Sequence, residues 1–133
     1  MKLDTGTIGM TLLRVTAGVS MSTHGYSKVF GNMEKFTAGV SEMGFPMPEV
    51  FAWAAALSEL VGGICLAVGL GTRISAFLIA GTMVVAVFIR HAADPFQRKE
   101  LAVIYLAMMI FFVLAGGGRW SVDSILKRKK TAA

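Results

Sequence analysis

The sequence predicts an all-α integral membrane protein, a four-transmembrane-helix bundle with a short amphipathic helix between helices 1 and 2. Three observations point there. Of the 133 residues, 55% are hydrophobic and only 16% charged, whereas a soluble domain is usually about a quarter charged. The charges gather in clusters that separate long apolar runs, and a spanning helix needs about 20 such residues. Lipid offers the backbone no other hydrogen-bond partner, so these runs must be helical. A single domain over residues 1–133 follows.

The first span covers about residues 8–30 and is the weakest by hydropathy, because Arg14, His24 and Lys28 interrupt it. Only Lys2 precedes Asp4 and no small-residue cleavage site follows Arg14, so the stretch does not read as a cleaved signal peptide. In NMEKFTAGVSEMG, residues 32–44, Met33, Phe36, Val40 and Met43 fall near one face at helical spacing. That predicts a short amphipathic helix lying on the membrane surface.

The second span, about 49–70, is entered through Pro46 and Pro48, and Pro48 suits a first helical turn. Gly71, Thr72 and Arg73 form a tight turn into the third span, about 74–91. Asp94 and Pro95 then read as the N-cap and first turn of the fourth, about 95–117, which stops at Gly116, Gly117 and Gly118. Residues 119–133 form a basic cytoplasmic tail, with Trp120 as an interfacial anchor and Ser121 capping a short basic helix.

The formal charge of +5 is no nucleic-acid footprint, since four of the thirteen Lys and Arg residues are the run Lys127–Lys130. That run is a topology signal. An even number of spans puts both termini on one side with Lys2, Arg73, Arg119 and the terminal four. Lys28, Lys35, Arg90, Arg98 and Lys99 lie opposite, a bias of seven to five that places both termini in the cytoplasm.

Cys65 is the only cysteine, which excludes an intrachain disulfide, a CxxC motif and a thiol relay within one copy. No metal site is expected: there is no His/Cys cluster, and the chain also lacks a P-loop and a GxGxxG after a strand. His24 and His91 as axial haem ligands have no further support in the sequence. The nine methionines read as packing residues.

The charges within the spans need partners. Arg14, Gly18, Gly25 and Lys28 fall within roughly 80° of one another, with His24 at the edge of that sector. On the second span Glu59, Gly63, Ala67 and Gly71 recur every four residues, and such small residues let helix backbones approach closely. Arg14 lies about 10 Å and Glu59 about 15 Å from the cytoplasmic ends of their spans. An isolated charge at that depth is costly, which predicts a buried Arg14–Glu59 ion pair. The pair reads either as a polar staple between two helices or as a ligand-binding carboxyl whose charge state Arg14 sets.

A second polar group gathers at the outer face: His24, Lys28, Arg90, His91, Glu100 and Tyr105. Each has an ordinary explanation, as a snorkelling cation, a residue at a helix N-terminus or an interfacial tyrosine. Together they nominate His24, Lys28, Glu59, Glu100 and Tyr105 as candidate ligand-binding residues.

At these residues the chain resembles the DoxX family of small four-helix bacterial membrane proteins, from about Leu13 to Asp123. The carriers are Arg14 with HGYSK at 24–28, GFPMP at 44–48, SELVGG at 58–63, GLGTR at 69–73 and GGGRWSVD at 116–123. The resemblance implies a multi-pass protein of the bacterial inner membrane that works near the quinone pool, often with partner proteins, in redox or detoxifying functions linked to oxidative stress. The positions matching family motifs are Arg14, His24, Lys28, Glu59, Arg73, Trp120, Ser121 and Asp123.

Under that resemblance the bundle binds a quinone or a similar small oxygenated molecule. His24 and Lys28 would hydrogen-bond its carbonyl oxygens, and Glu59 and Glu100 would move protons. No cofactor is covalent or motif-encoded, so electrons come from a partner or a diffusible reductant. The expected partners are the lipid bilayer, a quinone-like ligand, and a soluble protein or a second copy of the chain. The alternative is a non-enzymatic membrane scaffold for a soluble redox partner.

Overall fold

The computed structural model describes residues 4–133; Lys2, counted in the charge bias, lies outside them. Among the described residues there are six α-helices and no strand. They are α1 (Thr5–Tyr26), α2 (Met33–Glu42), α3 (Pro48–Val68), α4 (Thr72–Val85), α5 (Phe96–Ala115) and α6 (Val122–Ala132). α1 and α4 each run on into one π-helical turn, Ser27–Gly31 and Ala86–Arg90.

Local chemistry sets most of the boundaries. The Asp4 carboxylate caps α1 by accepting from the Gly6 amide and the Thr7 hydroxyl. The Asn32 side chain does the same for α2 at the Lys35 amide, 2.9 Å away. Pro48 occupies the first turn of α3. That helix ends at Gly69, whose φ of 76° lets the Leu70 amide return to the Cys65 carbonyl at 2.8 Å. The expectation for α5 is corrected: no side chain caps it, because His91 takes the Asp94 carboxylate instead.

α1 and α3 run antiparallel in close contact. A Cβ on Gly18 would strike the backbone of Gly63 and Ala67, and one on Gly25 would strike the backbone of Leu60 and Glu59. Glycine is required at both points, because the two backbones occupy the space a side chain would need. α4 packs on α3, and α5 on α4. Between them lies a core that includes Met21, Leu66, Ile79, Met109 and Phe112.

The amphipathic α2 forms as its sequence suggests, and its apolar stripe meets protein. It packs against α3, with Val40 buried and Met33, Phe36 and Met43 half-buried on the same face. The protein covers its apolar stripe.

Polarity is inverted relative to a water-soluble bundle. Arg14 and Glu59 are each only 2% exposed, while Leu12, Val19, Ile64, Phe77, Ile104 and Leu114 face outward. Pro48–Val68 and Thr72–Arg90 are long and apolar enough to cross a membrane. α1 and α5, also expected as spans, are long enough but more polar. α1 carries Arg14 among several Ser and Thr residues, and α5 opens on Arg98, Lys99 and Glu100.

Candidate functional site

Two polar clusters occupy opposite ends of the α1–α3 pair. At the first, the Lys28 ammonium donates to both oxygens of Glu59, at 2.7 and 2.6 Å. Lys28 lies in the π-helical turn that extends α1, and Glu59 faces inward from α3 beside Gly25. A π turn places one more residue in each hydrogen-bonded ring and so redirects the side chains it carries. The ammonium also sits 4.6 Å from the centroid of the Phe36 ring on α2, a cation–π contact.

The predicted Arg14–Glu59 pair is therefore corrected: Glu59 belongs to Lys28. Arg14 and Glu59 would meet only if α1 and α3 ended level with each other, and they do not. The glycine contacts place Gly18 opposite Gly63 and Ala67, and Gly25 opposite Glu59 and Leu60, so Arg14 stands opposite Gly69. Arg14 is eleven residues before Gly25 in α1, an offset of about 16 Å along the axis. The first turns of α1 project past the end of α3, where Met10 meets Gly118.

Beside the Lys28–Glu59 pair is a cavity of about 220 Å³. Its polar lining comprises His24, Lys28, Glu59, His91, Arg98 and Tyr105, with Met21 and Met83 among the apolar groups. Glu59, Met21, Met83 and Tyr105 are its buried parts, Lys28 and His91 are half-buried, and His24 and Arg98 are exposed at its rim. His24 and Tyr105 meet edge to face, with ring centroids 6.0 Å apart. At the rim the His91 Nδ1 is 2.7 Å from Asp94 Oδ2. That hydrogen bond holds the Asp94 carboxyl below its ordinary value.

Four of the five nominated ligand residues, His24, Lys28, Glu59 and Tyr105, line this cavity, and Glu100 does not. Glu100 is exposed. Helical spacing explains the difference, since residues 98, 101, 102 and 105 of α5 form one stripe and residue 100 lies about 140° from Tyr105. The same spacing counted back from Tyr105 points to Arg98, a lining residue outside the five nominated. His91, at the expected level, also lines the cavity. Its position depends on the second π-helical turn, for which the sequence offers no signal.

The other cluster is a clasp. Arg14 Nη1 donates to the Gly117 carbonyl, and Nη2 to that of Trp120 at 2.8 Å. The Asp123 carboxylate accepts from the amides of Gly71 at 2.7 Å and Thr72 at 2.9 Å, capping the start of α4. Burial raises the Asp123 carboxyl, but the Thr72 amide, the nearby Thr72 hydroxyl, the Gly71 amide and the Arg14 charge together hold it below its ordinary value. Among the described residues the buried Arg14 Nε has no hydrogen-bond partner, and the Thr72 hydroxyl, close to Asp123, makes none of good geometry. Thus GLGTR and GGGRWSVD, far apart in sequence, close on each other around Arg14.

The DoxX family model matches residues 9–92. A Bacillus subtilis protein named "Putative oxidoreductase CatD" is 34% identical, and the match covers 92% of this chain and 91% of that protein. An uncharacterized protein of Haemophilus influenzae is 31% identical, the match covering 90% of this chain and 92% of its own. No solved structure matches.

Proposed function

The chain belongs to the DoxX family of membrane proteins, and from that premise we propose that it binds a quinone or similar small oxygenated ring in the Lys28–Glu59 cavity. In this reading α1, α3, α4 and α5 all span the bacterial inner membrane, with both termini in the cytoplasm. The outward-facing Leu12, Val19, Ile104 and Leu114 support spans for α1 and α5 despite their polar residues, because these faces suit lipid.

One observation carries the ligand site. A carboxylate that is 2% exposed stands with its lysine on the wall of a 220 Å³ cavity that also holds two imidazoles and a phenol. Buried ionisable groups in a membrane bundle mark ligand or proton pathways more often than they serve packing. The volume is below the range for drug-sized ligands and suits one ring with its substituents.

Two of the three Lys28 N–H donors are engaged by Glu59, which leaves one for a ligand oxygen. His24 and Tyr105 supply further donors, and the Asp94-held His91 can exchange protons at the rim. Ring reduction or reoxidation requires proton movement of this kind. The name of the Bacillus subtilis relative agrees with a redox role for this chain. The electrons would come from a protein partner or a diffusible reductant.

The test is binding of ubiquinone and menaquinone analogues to the purified protein in detergent. Saturable micromolar binding is expected, lost in His24→Ala while the helical circular dichroism and unfolding midpoint are kept. A folded wild type that binds neither analogue would overturn the reading and leave the scaffold role in its place.

A further inference from the structure

The hydrogen bonds that tie α6 to the bundle fall on its first turn: the Asp123 carboxylate caps α4, and the Asp123 amide donates to the Gly69 carbonyl at 2.9 Å. From Ile125 to the last residue every side chain is exposed. Eleven residues are too few for a helix to be stable alone in water. Lys127, Arg128, Lys129 and Lys130 add repulsion between like charges on neighbouring turns. A surface that offers both negative charge and an apolar layer would remove both defects.

The helix is laid out for such a surface. Val122, Ile125 and Leu126 lie within about 100° of arc, Arg128 and Lys130 flank them, Lys129 falls within the same arc two turns beyond Val122, and Lys127 lies on the far side. Ile125 is 54% exposed, and Trp120, just before the helix, is also exposed. The anchor point fixes the level. Asp123 holds α6 at Gly71 and Thr72, the turn between the two helices that are long and apolar enough to cross a membrane. α6 therefore starts where those helices leave the lipid.

We propose that α6 binds the bilayer surface itself, with Ile125 and Leu126 at the acyl boundary and Arg128, Lys129 and Lys130 on anionic phospholipid headgroups. One turn of apolar residues holds a helix only weakly, so the cations make binding depend on lipid charge and on salt. A soluble acidic protein would also neutralise the cations. It would not account for Trp120, Ile125 and Leu126 being exposed together at the level of the α3–α4 turn.

The test uses the full chain in nanodiscs, with Cys65→Ala and a nitroxide on Ile125→Cys. In discs containing phosphatidylglycerol, the ratio of oxygen to aqueous-quencher accessibility should exceed that in pure phosphatidylcholine at least about threefold. High salt should abolish the difference. So should replacing the four cations with glutamine, which leaves the Asp123 clasp in place. Equal ratios in the two lipids would overturn the proposal and favour a soluble partner for the tail.

Discussion

The polar groups at the two ends of the α1–α3 pair are alike in chemistry and unlike in what they leave free. Around Arg14, the guanidinium and the Asp123 carboxylate spend their hydrogen bonds on backbone carbonyls and amides, so they join chain segments. Around Lys28, the ion pair satisfies itself within side chains and borders a cavity with further donors. A buried charge whose partners are backbone atoms is a fastener. One whose partner is another side chain, beside open space, retains capacity for a ligand. The difference separates the two roles that sequence alone merged in a single Arg14–Glu59 pair.

The largest expected effect comes from splitting the Lys28–Glu59 pair. Lys28→Met strands a buried carboxylate, and about 3 kcal/mol of stability should be lost, read as a lower unfolding midpoint in detergent. Adding Glu59→Leu should restore most of that stability, since no charge is then left unpaired, while analogue binding stays absent. A double variant that still binds like wild type would reduce the pair to a fastener and erase the contrast.

Arg14→Met should cost about 2 kcal/mol, because two carbonyls lose a charged donor. Analogue affinity in the folded fraction should stay within about twofold, given the roughly 16 Å offset between the clusters. A large drop in affinity at full folding would show that the two ends communicate.

Acid should open the clasp. The Asp123 carboxyl is depressed in the folded protein, so its contribution is complete at neutral pH and is lost as pH falls through the lowered value, below the ordinary 3.8. The mobility of a nitroxide on Ile125→Cys in a Cys65→Ala background should rise as pH falls through that range. Asp123→Ala should show the higher mobility already at neutral pH, with a stability loss of about 1 kcal/mol.

The smallest effect sharpens the account of the clasp. Among the described residues the buried Thr72 hydroxyl makes no hydrogen bond of good geometry, only a close approach to Asp123, so Thr72→Val should change stability by no more than about 0.5 kcal/mol. A loss well beyond that would show the hydroxyl to be hydrogen-bonded, and the clasp to be larger than the Arg14 and Asp123 contacts.

Much of this was legible from residue patterns. The face shared by Gly18, Gly25 and Lys28 and the four-residue repeat through Glu59, Gly63 and Ala67 announced the α1–α3 contact, because small residues at helical spacing have few other uses in lipid. The α2 stripe was also visible, but whether protein or lipid would cover it was not, since both are apolar. Glu100 was chosen by level instead of by angle, and the stripe ending at Tyr105 would have selected Arg98.

By itself the sequence determined an all-helical membrane protein, the helices that meet, and most residues of the polar group around Lys28, since periodicity and hydropathy are local quantities. Only the tertiary structure decided that Glu59 belongs to Lys28 and that Arg14 belongs to the loop at Gly117 and Trp120. Which charges pair depends on the axial offset between two antiparallel helices. That offset is set where Gly18 and Gly25 touch the α3 backbone, a contact between distant residues that no local pattern encodes.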